Sequence, residues 1–315
     1  MSIVRIACVG HAVLDHVFEV DAFPQRPTKT PALSYRAGTG GMAFNASIAA
    51  ARLGAAVRMI GRVGCEPGVQ MLRERLRAEG IEDRGLEAVP GAMTSVSAIV
   101  VDGHGERQIF NHRGDAIARA HALDTRVLEG ADVVLTDPRW VAGAATALRW
   151  ARAQQVTAML DVDVAPEADL QQLVPLAQWA VFSEPGLAAY APGLPQQAAL
   201  ARALDSGCEV AMVTRGEQPV CWLRRGQALQ QLDVPQVRPV DTTGAGDVFH
   251  AALALSVGEH RADADAVAFA STAAALKCLA GPGVLGAPLR PAVERALANG
   301  LVQRPHAGQR ASVAA

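Results

Sequence analysis

Aromatic residues are scarce in this chain, only 4% of 315. Half of the residues are hydrophobic, chiefly Ala, Val and Leu. Such a core suits alternating strands and helices better than an aromatic-rich β-sandwich. Charge of one sign is lacking too. The formal net charge is −2 and no basic block stands out, which argues against nucleic acid or an anionic membrane as partner. The five cysteines, Cys8, Cys65, Cys208, Cys221 and Cys278, are scattered and form no C-x-x-C pair. That argues against a disulfide framework or a zinc site and fits a reducing, cytoplasmic setting. No uncharged run is long enough to cross a bilayer. The apolar run ending at Gly10 is too short for a signal segment and reads as a buried first strand. No Gly-Lys-Ser/Thr string occurs, so a P-loop is missing, and the eight histidines form no H-x-x-x-H pair.

What is present alternates. Strands are expected at Ile3–Val9, Val57–Ile60, Val133–Leu135, Val156–Leu160, Ala180–Phe182 and Val210–Thr214. Helices are expected at Ala43–Leu53, Val69–Ala78, Ala142–Ala153, Gln196–Leu204, Gly246–Val257, Ala262–Ala280 and Pro291–Ala298. This βαβ rhythm predicts an α/β fold, with a mostly parallel sheet carrying helices on both faces. Two hairpins interrupt it, Thr94–Val101 with Arg107–Asn111 and Val220–Leu223 with Ala228–Leu232. Residues 11–40 look irregular, with a short strand near Leu33–Arg36. Residues 11–40 and 94–113 together are expected to form a small sheet standing off the main body as a lid. No internal repeat or long linker splits the chain, so residues 1–315 read as one domain with a polar, flexible tail from 303.

The chemistry concentrates in Asp241-Thr242-Thr243-Gly244-Ala245-Gly246-Asp247, which follows a strand-like segment (Gln236–Val240) and runs into a helix. Glycines at a helix start let the backbone approach a ligand closely. The first amides of the helix have no internal partner and carry partial positive charge. Gly244, Ala245 and Gly246 therefore read as an anion hole for a phosphoryl group. Asp247, in the first turn, is placed to take the proton of an attacking hydroxyl. The plain alternative is a glycine loop with an aspartate favoured only by the helix dipole; the length of the string weighs against it.

The string resembles the C-terminal signature of the ribokinase/PfkB carbohydrate kinases. Gly40-Gly41-Met-Ala-Phe-Asn45 through Arg52-Leu53-Gly54 resembles that family's N-terminal signature, and Asp102 to Arg107, Val213-Thr214-Arg215-Gly216 and Ala273 to Lys277 follow in the family's order. The resemblance implies a ribokinase-like fold with a β lid over the sugar. It places Asp15, Gly40, Gly41, Asn45 and Asp247 around a small-molecule sugar. Thr214 and Gly216 fall near ATP, and Mg²⁺ would accompany its phosphates. A potassium-like ion is implied near Asp241 and Thr243, and a homodimer through the lid. Three departures stand out. Val13 occupies a place where ribokinase-like members carry Asn. Ser183-Glu184-Pro185-Gly186 replaces the N-x-x-E motif, leaving Ser183 near the nucleotide and Glu184 as a water-mediated Mg²⁺ contact. Cys65, where acidic residues are common, reads as a structural thiol.

Within the family, Asp137-Pro138-Arg139-Trp140, Asp161-Val-Asp163, Phe182 to Leu187 and His250 resemble the sulfofructose kinase branch. That resemblance brings Lys29, Asn111 and Arg139 to the far end of the sugar, where an anionic substituent would sit. Neutral ketohexoses, deoxy sugar acids and nucleosides are alternative substrates. Gly38-Thr-Gly40-Gly-Met-Ala43 matches a dinucleotide fingerprint, but its proline-rich, polar approach and the Arg62 that follows the next strand disfavour a dehydrogenase. A non-catalytic sugar or nucleotide sensor is the remaining rival, and the intact Asp247 argues against it.

Overall fold

A computed structural model describes residues 3–104, 106–117 and 123–300. The apolar runs at the centre of the chain become strands buried on both faces, as a sheet covered by helices requires. In chain order the strands are β1 (Arg5–Gly10), β2 (Val13–Glu19), β3 (Ser34–Gly40), β4 (Ala56–Val63), β5 (Glu82–Ala88), β6 (Ser95–Val101), β7 (Arg107–His112), β8 (Val133–Thr136), β9 (Thr157–Val162), β10 (Trp179–Ser183), β11 (Val210–Arg215), β12 (Gln218–Arg224) and β13 (Gln230–Leu232).

Among the described residues, nine strands form one sheet in the order β13-β12-β11-β10-β9-β8-β1-β4-β5. From β11 to β5 every neighbour is parallel; β12 and β13 add an antiparallel edge. The helices α1 (Met42–Arg52), α2 (Val69–Ala78), α3 (Val141–Ala153), α4 (Glu167–Leu173), α5 (Glu184–Tyr190), α6 (Gln196–Ser206), α7 (Ala245–Gly258), α8 (Asp263–Leu279) and α9 (Arg290–Ala298) make up the flanking layers. Two separate buried clusters lie on opposite faces of the sheet. One gathers Ile6, Cys8, Met59 and Leu135 with α1, α7 and α8. The other gathers Ala7, Val9, Ile60 and Val134 with α3 and α6. The α/β architecture expected from the sequence is the one observed.

The second sheet has the order β3-β2-β6-β7. It is built from 13–19, 34–40, 95–101 and 107–112, within the two segments expected to stand apart. The irregular reading of 11–40 needs correction. Val13–Glu19 is a full strand, paired antiparallel with β3 and parallel with β6. Its polar residues, Asp15, His16 and Glu19, masked the pattern. Gln236–Val240 is not a strand, since no ladder partner holds it. β5, α4 and α5 were not foreseen; each spans only seven residues, and β5 and α4 are polar as well, so the periodicity is weak. Cys65 is exposed, which removes its structural role. The tail expected to be flexible lies outside the described residues.

Candidate active site

In a doubly wound sheet, ligands gather at the carboxyl ends of the strands where the winding reverses. Here β1 leads outward to β4 and β5 on one side, and β8 leads to β9, β10 and β11 on the other. The crevice is therefore expected above Gly10 and Asp137, the residues at the ends of β1 and β8. Two shallow surface depressions lie elsewhere, at the amino ends of the strands near Arg5, Arg58 and Glu82. Their basic and acidic groups are largely paired with one another, as in Arg5–Asp132 and Arg58–Glu82.

Asp137 is buried and accepts three backbone N–H bonds, from His11 at 2.8 Å, Ala43 at 3.1 Å and Arg139 at 2.8 Å. One carboxylate thus ties the exit of β1, the start of α1 and the loop after β8. Asp137→Ala would leave three donors without it, at about 1–3 kcal/mol for each that stays buried and unsatisfied. A drop of several degrees in the thermal midpoint is expected, and an unchanged melt would remove this role from Asp137.

Two helices that start at glycines meet above this point. Gly41, the cap of α1, has φ +104, and a side chain there would place Cβ 2.3 Å from the His11 carbonyl oxygen. At Gly40 an added Cβ would lie 2.2 Å from Asp15 Oδ2. The pair therefore clears room both for α1 and for the Asp15 carboxylate. Gly244 caps α7 with φ +78, a left-handed conformation that glycine adopts without strain. The N–H groups of Ala245 and Gly246 follow at the helix start, with Gly246 exposed. Asp247 lies half-buried in the first turn of α7. Asn45, in the first turn of α1, donates from Nδ2 to Asp247 Oδ2 at 2.7 Å. Its carbonyl oxygen is buried with no partner among the described residues.

The small sheet supplies a facing row. The register aligns Gly38, Asp15, Ser97 and Asn111 across four strands, so all four share one face. The Asn111 amide donates to Ser97 Oγ at 3.1 Å and to Ser95 and Val96. Burial raises the Asp15 carboxyl, while a hydrogen bond from Ser97 opposes this. Lys29 lies in the exposed segment between β2 and β3 and makes no hydrogen bond or ion pair among the described residues. Arg139 is engaged elsewhere: its guanidinium pairs with Asp163 at 2.7 Å and donates to the Val164 carbonyl at 2.5 Å. Among the described residues no hydrogen bond links Lys29, Asn111 and Arg139 to one another.

The floor of the crevice is acidic. Burial and the neighbouring Asp161 carboxylate push the Asp247 carboxyl up to about 8, against the opposing Asn45 hydrogen bond. Asp161 itself is raised well above the usual range by burial, then by Asp163 and Asp137. His250, one turn along α7, places Nδ1 2.7 Å from the Gly246 carbonyl oxygen and 3.3 Å from Asp161 Oδ2. Burial lowers its pKa, against the opposing Gly246 carbonyl and Asp247 carboxylate. Asp247 is therefore a carboxyl poised near neutrality, the range a general base requires.

Asp241, at the head of the motif, sits at a junction the sequence did not reveal. Arg107, reaching over from β7, pairs with its Oδ1 at 2.5 Å and also bonds to Thr243 Oγ1. The Thr243 amide donates to the same oxygen at 2.9 Å. On Oδ2 converge the Gly283 amide at 2.6 Å and the Lys277 ammonium at 3.2 Å; Lys277 also reaches the Asp241 carbonyl oxygen at 2.7 Å. Burial would raise this carboxyl, but the Thr243 and Gly283 amides and the Thr243 and Arg107 side chains hold it far below the usual range. Arg107 and Lys277 both lay in stretches that resembled the family, yet nothing local to either pointed at Asp241.

Ser183 caps α5, accepting from the Gly186 amide at 3.0 Å and donating to Asp163 at 3.1 Å. Glu184 begins that helix and is exposed. Thr214 is the penultimate residue of β11, its hydroxyl bonded to the Phe182 carbonyl at 3.3 Å, and Gly216 turns with φ +61 just past the strand. Ser183 and Thr214 are register partners on adjacent strands, so they share the carboxyl edge of the sheet.

Comparison with known proteins accords with this geometry. Residues 4–284 match the model of the pfkB family carbohydrate kinases. Ribokinase of Bacillus subtilis (strain 168) is 28% identical over 299 residues, covering 93% of this chain and 99% of the relative. A candidate ribokinase from Agrobacterium tumefaciens superposes with a TM-score of 0.89 at 32% identity, covering 95% of this chain and 99% of that one. Arabidopsis thaliana ribokinase, solved with ribose and ATP, shares the fold with a TM-score of 0.83 at 22% identity, over 94% of this chain and 99% of its own. With a glycine-capped helix start, an aspartate in its first turn and a second sheet facing it, the chain belongs to the pfkB family of carbohydrate kinases.

Proposed function

We propose that this kinase transfers the γ-phosphate of ATP to a primary hydroxyl of a small sugar held between the small sheet and the starts of α1 and α7. The observation that carries the proposal is the Asn45–Asp247 pair. Nδ2 of Asn45 orients the base while its unpartnered Oδ1 waits for a donor, and a sugar hydroxyl is such a donor. In this reading Asp15 accepts from other sugar hydroxyls, and Gly40 and Gly41 let the sugar approach the backbone. Asp247 takes the proton of the attacking hydroxyl. The amides at Gly244, Ala245 and Gly246 donate to the charge that develops on the transferred group. ATP supplies the phosphoryl group and Mg²⁺ screens its charge. The magnesium would be held mainly by the nucleotide's phosphates, with Glu184 as a water-mediated contact. Thr214 and Gly216 border the nucleotide, with Ser183 and Glu184 beside them.

An anionic ketose such as sulfofructose draws support from Lys29 and Asn111. It draws less from Arg139, whose charge Asp163 already compensates. A screen for ADP release should include neutral pentoses and ketohexoses, deoxy sugar acids, nucleosides and a sulfonated ketose. Binding without ADP release across the whole panel would instead indicate a sensor. If the anionic reading holds, Arg139→Ala weakens the anionic sugar and spares neutral ones; equal losses overturn it.

We also infer a homodimer through the small sheet, acting in a cytoplasmic setting. Tyr35 and Phe110 lie on the sheet face opposite Asp15 and are 55% and 65% exposed. Such aromatic exposure on a four-stranded sheet invites a partner. Phe110→Glu should shift the solution mass from dimer to monomer in a light-scattering measurement. A monomer before the substitution would end the idea.

A further inference from the structure

The family resemblance implies a monovalent cation beside Asp241 and Thr243, and the residues do not fit one. An ionised carboxylate offers about four lone-pair sites. At Asp241 four donors already occupy them: Arg107 and the Thr243 amide on Oδ1, Lys277 and the Gly283 amide on Oδ2. The backbone carbonyl of Asp241, the next natural ligand, accepts from the same Lys277 at 2.7 Å. Lys277 is fully buried in the last turn of α8, among the least expected places for a lysine without a task. A potassium ion beside that ammonium would also meet the repulsion of a like charge in a largely buried place.

We propose that the Lys277 ammonium is a built-in replacement for the monovalent cation, and that this enzyme works without potassium. The tethered charge spans the Asp241 carboxylate and carbonyl, and the Asp241 and Val240 amides both donate to the Cys278 carbonyl next to it. The end of α8 is thereby locked to the strap that enters α7. The loop after α8 then lies against Gly244: a Cβ on that glycine would stand 3.6 Å from the Val284 nitrogen. Lys277 is a positioning residue, acting on the anion hole through Asp241 rather than touching substrate. A mobile ion in the same place would make activity depend on ion concentration, whereas a covalently held ammonium is always present.

The inference rests on the kinase reading for its activity arm, so the test has a second arm that needs no turnover. In tetramethylammonium buffer at constant ionic strength, adding potassium should leave wild-type turnover and melting temperature unchanged. Lys277→Ala should lose about tenfold or more in turnover, equivalent to ~1.4 kcal/mol in the barrier. Potassium or ammonium should restore a large part of that loss. The same ions should raise the melting temperature of Lys277→Ala without nucleotide or sugar, and should not raise that of Lys277→Met, whose side chain keeps the space filled. Activation of the wild type by potassium overturns the proposal. So does a folded Lys277→Ala whose melting temperature is indifferent to potassium and ammonium. If no sugar in any panel is phosphorylated, the kinase reading fails on its own and the melting arm still decides this one.

Discussion

Asp247→Asn is expected to lower turnover by about 10²–10⁴-fold, the scale of a lost general base, while the protein becomes more resistant to heat at neutral pH. The first half follows from position. Asn45 holds the carboxylate in the first turn of α7, at the amides that would face the phosphoryl group. Asparagine keeps the shape but has no lone pair basic enough to take the proton. The second half follows from the sign of the pKa shift. In the folded chain the Asp247 carboxyl is raised to about 8 by burial and by Asp161. An unfolded chain returns it to about 3.9. Between those values the folded state binds the proton more tightly, so the contribution of this group to stability falls as pH rises across that window. A neutral asparagine escapes the loss. The same shift predicts that kcat/KM of the wild type climbs with pH up to about 8 and then levels, since this ratio reports the free enzyme. Calorimetry and a pH–rate profile check both. A flat profile together with near-wild-type turnover in Asp247→Asn would take the base assignment away from this residue.

Asp15→Asn is expected to raise KM for the sugar by about 10–100-fold, with a smaller change in kcat. A carboxylate that accepts from sugar hydroxyls makes charge-assisted bonds, each about 1.5–3 kcal/mol. Asn keeps one acceptor and turns the other position into a donor. The Asp15 site is prepared on several sides: Gly40 leaves space at Oδ2, Ser97 donates from the neighbouring strand, and burial makes each bond count for more. The effect belongs in KM because Asp15 stands on the small sheet, apart from the reacting oxygen, and holds ground and transition states alike. A substitution that leaves KM untouched and lowers only kcat would mean that Asp15 serves the chemistry rather than the binding.

The parts legible in the sequence share one property: their cause is local. A run such as Val133–Leu135 is a buried strand because nothing in it tolerates water, and Val69–Ala78 is a helix because its apolar residues recur at helical spacing. Gly244-Ala245-Gly246-Asp247 announces a helix start open to an anion because those few residues determine its own backbone and charge. Val13–Glu19 escaped because a strand on a half-exposed sheet carries polar residues on its faces, and only its partners β3 and β6 reveal the pairing.

By itself, then, the sequence determined the α/β alternation, the second sheet's two segments and a glycine-capped helix start with Asp247 in its first turn, the residue proposed here as the base. Only the tertiary structure decided that Asn45 meets Asp247 across 202 positions, that Arg107 and Lys277 close on one aspartate from two different elements, and that Arg139 is already paired. The physical reason is range. Helix starts and strand periodicity depend on neighbours within a few bonds, whereas a hydrogen bond between residues far apart in the chain exists only after packing has brought donor and acceptor within about 3 Å of each other.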